Sequence, residues 1–200
     1  MKALLINGSP KNRNTRFLLE ILAEELKKLE INSEILDLYN YNISTCKGCD
    51  ACLKGECSQK DDIFVVLRRM EEADVIVIGT PTYFGNVSGL VKNLMDRSRM
   101  AKMSDMKRKN KIFAPIVTSG LRHGGAEFAI MSLIVYAISQ GWIIAGITDN
   151  PISQGAFVVG VIQGDTGWRS VKKDEIAKNS VAPLAKRIKE LAEATKNLRS

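Results

Sequence analysis

The chain has 200 residues, enough for one domain that buries ~70% of its unfolded surface without disulfides. Hydrophobic residues make up 45% and charged residues 26%, which excludes a disordered chain, and no apolar run reaches the ~20 residues of a membrane helix. The net charge of +7 is dispersed and carries no nucleic-acid-binding motif, so no nucleic-acid role is expected. The densest run, Lys107-Arg108-Lys109-Asn110-Lys111, reads as a solvated loop. An anionic cofactor or an acidic partner protein would exploit the same field. The start, Met1-Lys2 and then Ala3 to Gly8, has the form of a short buried strand rather than a signal peptide. A cytoplasmic chain is expected.

Taken in chain order, short apolar runs alternate with longer amphipathic segments. Ala3 to Asn7 reads as a strand, and Thr15 to Leu29 as a helix with Asn14 as its N-cap. Asn32 to Leu38 is a second strand, and Asp61 to Glu72 a second helix. Asp74 to Gly79 is continuously apolar, as in a strand buried on both faces of a parallel sheet. A helix follows from Ser88 to Met95 or beyond, then a strand from Lys111 to Thr118 and a helix from Gly125 to Gln140. Trp142 to Ile147 is expected as the fifth strand. The glycine-punctuated stretch 155–164 is an extra extended segment or hairpin. One last helix runs from about Val171 to Leu198, bent or restarted at Pro183. No linker or repeat divides the chain, so residues 1–200 are expected to form a single domain. Alternation of this kind gives an α/β sheet covered on both faces, with ligands beyond the carboxyl ends of the strands. Loops 8–15, 80–87 and 118–125 therefore matter most.

Gly8 to Thr15 places hydroxyl, amide and cationic residues where a helix begins, which suits a phosphate. Neither the G-x-G-x-x-G fingerprint nor the G-x-x-x-x-G-K-[ST] loop is present, so Asp37 is a poor candidate for a ribose ligand and a mononucleotide fits better than a dinucleotide. In Thr80 to Gly89, Tyr83 and Phe84 are adjacent aromatics on a strand-to-helix turn. They are suited to flank a planar heterocycle or to cover the sheet's end. The glycines of Thr118 to Glu127 permit close backbone approach to a ligand, and the sole histidine, His123, lies in the same loop.

All four cysteines fall between residues 46 and 57, spaced C-x₂-C-x₂-C-x₄-C, and a disulfide framework would distribute them along the chain. Soft thiolates favour iron–sulfur clusters, zinc or Cu(I). Zinc sites commonly use two separated C-x₂-C pairs, whereas three cysteines at successive x₂ spacing are closer to ferredoxin spacing. Free or redox-active thiols are the further alternative.

Gly8-Ser9-Pro10 with Asn14-Thr15, then Pro81-Thr82-Tyr83-Phe84-Gly85-Asn86, then Ser119-Gly120 with Gly124-Gly125 resemble, in that order, the flavodoxin-like FMN-dependent reductases. These include the NADPH-dependent FMN reductases and the iron–sulfur flavoproteins, whose compact cysteine motif the 46–57 run also resembles. The resemblance implies a flavodoxin-like, doubly wound, five-stranded parallel sheet with helices on both faces and a cysteine-rich loop, about 44–60, after the second strand. It implies that Ser9, Lys11, Asn14 and Thr15 hold the FMN phosphate. Pro81, Thr82, Tyr83, Phe84, Gly85 and Asn86, with Ser119 and Gly120, would hold the ring. Cys46, Cys49, Cys52 and Cys57 would ligate one [4Fe–4S] cluster, and no side-chain catalytic residue is required. The phosphate loop is a residue shorter than the common family form, and Lys11 stands where arginine is frequent.

The expected function is electron transfer between the cluster and FMN, with ferredoxin as donor and a homodimer or homotetramer as the assembly. An NAD(P)H-dependent FMN or quinone reductase without a cluster is the alternative, and a non-catalytic zinc-binding interaction protein the second.

Overall fold

The computed structural model describes residues 1–55, 57–103 and 109–199. Its elements are β1 (Lys2–Asn7), α1 (Asn14–Lys28), β2 (Asn32–Asp37), α2 (Ile63–Glu72), β3 (Val75–Pro81), α3 (Gly89–Arg97), α4 (Arg99–Met103), β4 (Ile112–Ser119) and α5 (Ala126–Ser139). The remainder comprises β5 (Ile143–Ile144), α6 (Pro151–Gln154), β6 (Val158–Val161), β7 (Gln163–Gly164), β8 (Gly167–Trp168), α7 (Glu175–Asn179) and α8 (Val181–Ala194). The main sheet runs β2-β1-β3-β4-β5, all pairs parallel, with β6 also on β4. This is the flavodoxin-like order, whose ligand crevice lies where the winding direction reverses, beside β1 and β3.

Successive residues of a strand face opposite sides of the sheet, and the apolar strands use both. Ala3, Leu5, Val75, Val77, Ala114 and Ile116 pack in one core layer with α1 and α8. Leu4, Ile6, Ile76, Ile78, Phe113 and Val117 pack in the other with α2, α3 and α5.

The fifth strand position differs from the expected Trp142–Ile147. Only Ile143 and Ile144 pair there, with Ile112 and Phe113, and Trp142 instead stacks on Phe113 in the core at 5.5 Å. The upper half of the position belongs to β6, which pairs with Ile116–Ser119. Pro115 explains the handover. The carbonyls of Phe113 and Ser119 accept bonds from Ala145 and Ile162 on this side, so alternation aims residue 115 the same way, and a proline has no N–H to offer there. The five expected positions are thus filled by six strands, and the 155–164 stretch supplies the sixth.

Three other expectations change in detail. Arg13, not Asn14, precedes α1, and it makes no side-chain cap bond. The last helix is broken into a 3₁₀ turn at Val171–Lys173, α7 and α8, with the break at Ser180; Pro183 sits in the first turn of α8, where its missing N–H is not needed. Of the basic run, residues 107 and 108 lie outside the described residues, while Lys111 is no solvated residue. It is buried, and its Nζ donates to the carbonyls of Glu71 and Ala73 at 2.8 and 2.5 Å.

Candidate functional site

The loop after β1 is fixed from beneath. Gly8 N–H donates to the Gly79 carbonyl at 2.7 Å, and the Ser88 hydroxyl donates to the Gly8 carbonyl at 2.6 Å. A Cβ on Gly8 would lie 2.1 Å from Val91 Cγ2, so only glycine lets the loop settle against α3. Above it, the Ser9 hydroxyl accepts from Lys11 N–H at 3.2 Å, turning the chain into α1. No acidic residue lies in the first turn of that helix, so its dipole end is left for an anion.

A cavity of about 380 Å³ opens at this point, within the ~300–1,000 Å³ range of small-molecule sites. Ser9, Lys11, Arg13, Asn14 and Thr15 line one end; Pro81, Thr82, Tyr83, Thr118, Gly120 and Ile162 line the other. Amides, hydroxyls and two cations at one end and uncharged walls that include one aromatic ring at the other suit a phosphorylated heterocycle, so the residues present fit FMN. Two of the predicted phosphate donors are partly engaged. Thr15 Oγ1 is 2.7 Å from Thr118 Oγ1, and the Asn14 side-chain oxygen accepts from Val171 N–H at 3.3 Å. Arg13 and Thr118, absent from the expected set, stand in the lining. Asp37 accepts from Asn7 and is ion-paired with Arg16, which also accounts for it without a ribose.

The two ring loops meet over the carboxyl ends of β3 and β4. Thr82 N–H donates to the Thr118 carbonyl at 2.8 Å. Tyr83 and Asn86 exchange backbone bonds at 2.9 and 3.1 Å, and Phe84 and Gly85 between them have φ of 50° and 73°. Positive φ at both central positions makes a type I′ turn, which leaves the Phe84 ring wholly exposed. A Cβ on Gly125, itself at φ 80°, would lie 2.5 Å from Gly85 Cα, so the loops touch through two glycines. That contact separates the predicted ring residues. Pro81, Thr82, Tyr83 and Gly120 face the first cavity, whereas Phe84, Gly85 and Asn86 line a neighbouring hollow of about 620 Å³ with His123, Gly124 and Phe128. Ser119 lines neither; it is buried, and its hydroxyl donates to the Leu121 carbonyl.

The cysteine loop leaves the sheet after β2 and is tied at its base. Asp62 accepts from Asn42 N–H at 2.7 Å, and Asn93 donates to the Ile43 carbonyl at 3.1 Å. Arg97 and Asp61 form an ion pair at 2.6 Å with side chains 1% and 5% exposed. Arg97 also donates to the Ser44 carbonyl at 2.9 Å and to Cys57 Sγ at 3.4 Å. Burial pushes the Asp61 carboxyl up, but hydrogen bonds from Arg97 and from the Ser44 and Ile63 amides outweigh it and hold the group below its ordinary value. Arg97 was detectable in the sequence as a charge on the apolar stripe Leu90–Leu94–Arg97 of a helix.

Beyond this base, Cys46 and Cys49 are exposed, and Cys52 and Cys57 half-buried; all four are free thiols. The Ser58 hydroxyl, 3.0 Å away, and then the Ala51 amide hold the Cys49 thiol below its ordinary pKa. Arg99 is raised, first by its hydrogen bond to Asp50 and next by the charge of Cys52. Arg97 at Cys57 and Arg99 near Cys52 and Cys46 supply compensating charge of the kind an anionic thiolate cluster needs. Among the described residues, however, no three His, Cys, Asp or Glu side chains gather closely enough to hold a metal ion.

A sequence model of the NADPH-dependent FMN reductase family matches residues 1–149. An iron–sulfur flavoprotein of Archaeoglobus fulgidus is 68% identical, covering 100% of this chain and 99% of its own. Another, of Methanocaldococcus jannaschii, is 31% identical over 98% of this chain and 100% of its own. Among solved structures, RosB with a bound formylriboflavin-phosphate intermediate superposes with a TM-score of 0.78 at 15% identity, covering 100% of this chain and 82% of that one. The last likeness is one of fold.

Proposed function

The chain belongs to the NADPH-dependent FMN reductase family, and from that premise we propose that it is an FMN-dependent oxidoreductase of iron–sulfur type, passing electrons between FMN and a [4Fe–4S] cluster. The observation that carries the flavin half is the 380 Å³ cavity, cationic at the start of α1, which no side chain caps, and uncharged at the far end. The cysteine half rests on the C-x₂-C-x₂-C-x₄-C spacing, on the two guanidinium groups beside it and on the name borne by a relative 68% identical.

In this reading Lys11 and Arg13 neutralise the phosphate, Ser9 and the first amides of α1 bind its oxygens, and Pro81 to Tyr83 with Gly120 orient the ring. FMN held by these residues would supply two-electron uptake with one-electron release, linking hydride-level chemistry to a one-electron carrier. Cys46, Cys49, Cys52 and Cys57 are the ligand set, with Arg97 and Arg99 offsetting their charge. The net +7 charge favours an acidic donor of ferredoxin type. Phe128, Met131, Val135 and Ile138 form an exposed apolar stripe along α5 that fits self-association into a homodimer or homotetramer.

Anaerobic assay of holo-protein tests the proposal. Reduced ferredoxin should bleach the flavin rapidly, and NADPH only slowly. Fast NADPH turnover with no bound iron would instead establish the clusterless reductase.

A further inference from the structure

The segment after β6 lies beyond the residues matched by the family model, and it is fastened at both ends of the flavin cavity. At the ring end, Ile162 and Gln163 donate backbone bonds to the Ser119 and Gly120 carbonyls, each at 2.9 Å. Gln163 Oε1 accepts from Arg122 N–H at 3.0 Å, and Arg122 is ion-paired with Asp165. At the phosphate end, Ser170 and Val171 donate to the Asn14 side-chain oxygen at 3.4 and 3.3 Å, and Lys172 Nζ lies 5.4 Å from the Phe17 ring centroid. Residues 162–172 therefore form a strap that runs from the ring end of the cavity, where Ile162 is part of the wall, to the start of α1 at the phosphate end.

The strap carries a β7–β8 hairpin in which Trp168 is paired with Gln163. Trp168 is 72% exposed, an expensive place for an indole unless it packs on something. Its Cζ3 lies 3.7 Å from the point a Cβ on Gly120 would occupy, and Gly120 lines the ring end of the cavity. That separation is ordinary van der Waals contact, so the indole edge sits directly beside residue 120.

We infer that the strap is the outer wall of the flavin site and that Trp168 is a positioning residue which covers the exposed face of the isoalloxazine. This inference rests on the flavin reading above. Stacking of an indole on a planar heterocycle contributes through area burial and quadrupole complementarity. An indole in contact with a flavin also quenches the flavin's emission by electron donation, which a merely structural tryptophan would not do. The second tryptophan, Trp142, is locked in the core between Phe113 and Tyr136, so its emission serves as an internal reference.

The test is titration of the full-length, cofactor-stripped protein with FMN, following flavin and tryptophan emission, for wild type, Trp168→Phe and Trp168→Ala. Wild type should quench bound FMN strongly. Trp168→Ala should bind FMN about tenfold more weakly and leave the bound flavin several times brighter (roughly, by loss of the stacked donor), with Trp168→Phe recovering affinity but not quenching. Equal affinity and equal brightness in all three would overturn the inference while leaving the flavin site standing. Failure of wild type itself to bind FMN would overturn both.

Discussion

The flavin-side loops and the cysteine loop leave the same sheet but are built differently. The former are tethered strand to strand, through Gly8 to Gly79 and Thr82 to Thr118, and interlock where Gly85 meets Gly125. The latter is clamped at its base by Asp61, Asp62, Asn93 and Arg97 and held further out by the exposed Arg99–Asp50 pair. Beyond the clamp it turns through left-handed Gly48, Asp50 and Gly55, with Cys46 and Cys49 exposed and Cys52 and Cys57 half-buried. A rigid organic cofactor can be met by a slot that the scaffold forms in advance. Thiolate ligands are instead gathered by the metal they bind, because site formation and metal binding are coupled; the scaffold then supplies a tether and compensating charge.

The largest effect that can break this contrast is expected from Arg97→Ala. It strands the Asp61 carboxylate in the interior, which costs about 3–5 kcal/mol, readable as a lower urea midpoint. Arg97→Met with Asp61→Leu should recover most of that loss, since an apolar pair replaces a buried ion pair at little cost, yet still lower iron retention. Recovery of stability without any change in iron would show that the clamp does not serve the cysteines.

Next in size is Gly125→Ala. Forcing a Cβ into a left-handed residue and against Gly85 costs about 1–3 kcal/mol and lowers Tm by roughly 5 °C. FMN affinity should fall with it while iron content holds; loss of both together would mean that the two regions are one cooperative unit.

A smaller effect is expected from acid. Asp61 is held below its ordinary value of about 3.9, so its stabilisation is fully present above that value and is lost as the pH falls through the lower folded one. Urea midpoints should decline below about pH 4, less steeply in Asp61→Asn. The smallest effect on folding belongs to Cys49→Ser on the exposed part of the loop, which should leave Tm and FMN stoichiometry unchanged while removing cluster absorption.

The sheet, its helices and the three loops at the carboxyl ends of the strands were legible because they follow from apolar periodicity, glycine placement and strand–helix alternation. The split of the fifth position was not, since it depends on a proline in β4 acting on a strand far along the chain. Trp142–Ile147 looked like any buried strand until Pro115 removed its bonding partner. The clustering of the cysteines in one loop was legible from their spacing, but the Arg97–Asp61 clamp beneath that loop is a long-range pair, visible beforehand only as one charge on an apolar stripe. Trp168 lay in no motif; its placement over Gly120 comes from β6 pairing with β4, which the glycine-rich 155–164 stretch did not disclose.

The central claim is that one chain carries both an FMN slot and a thiolate cluster. Anaerobic purification followed by iron, sulfide and flavin quantification tests it most directly. The account predicts about four iron and four sulfide per FMN, with Cys49→Ser losing the iron and keeping the flavin. Flavin without iron or sulfide, even after anaerobic reconstitution, would contradict it.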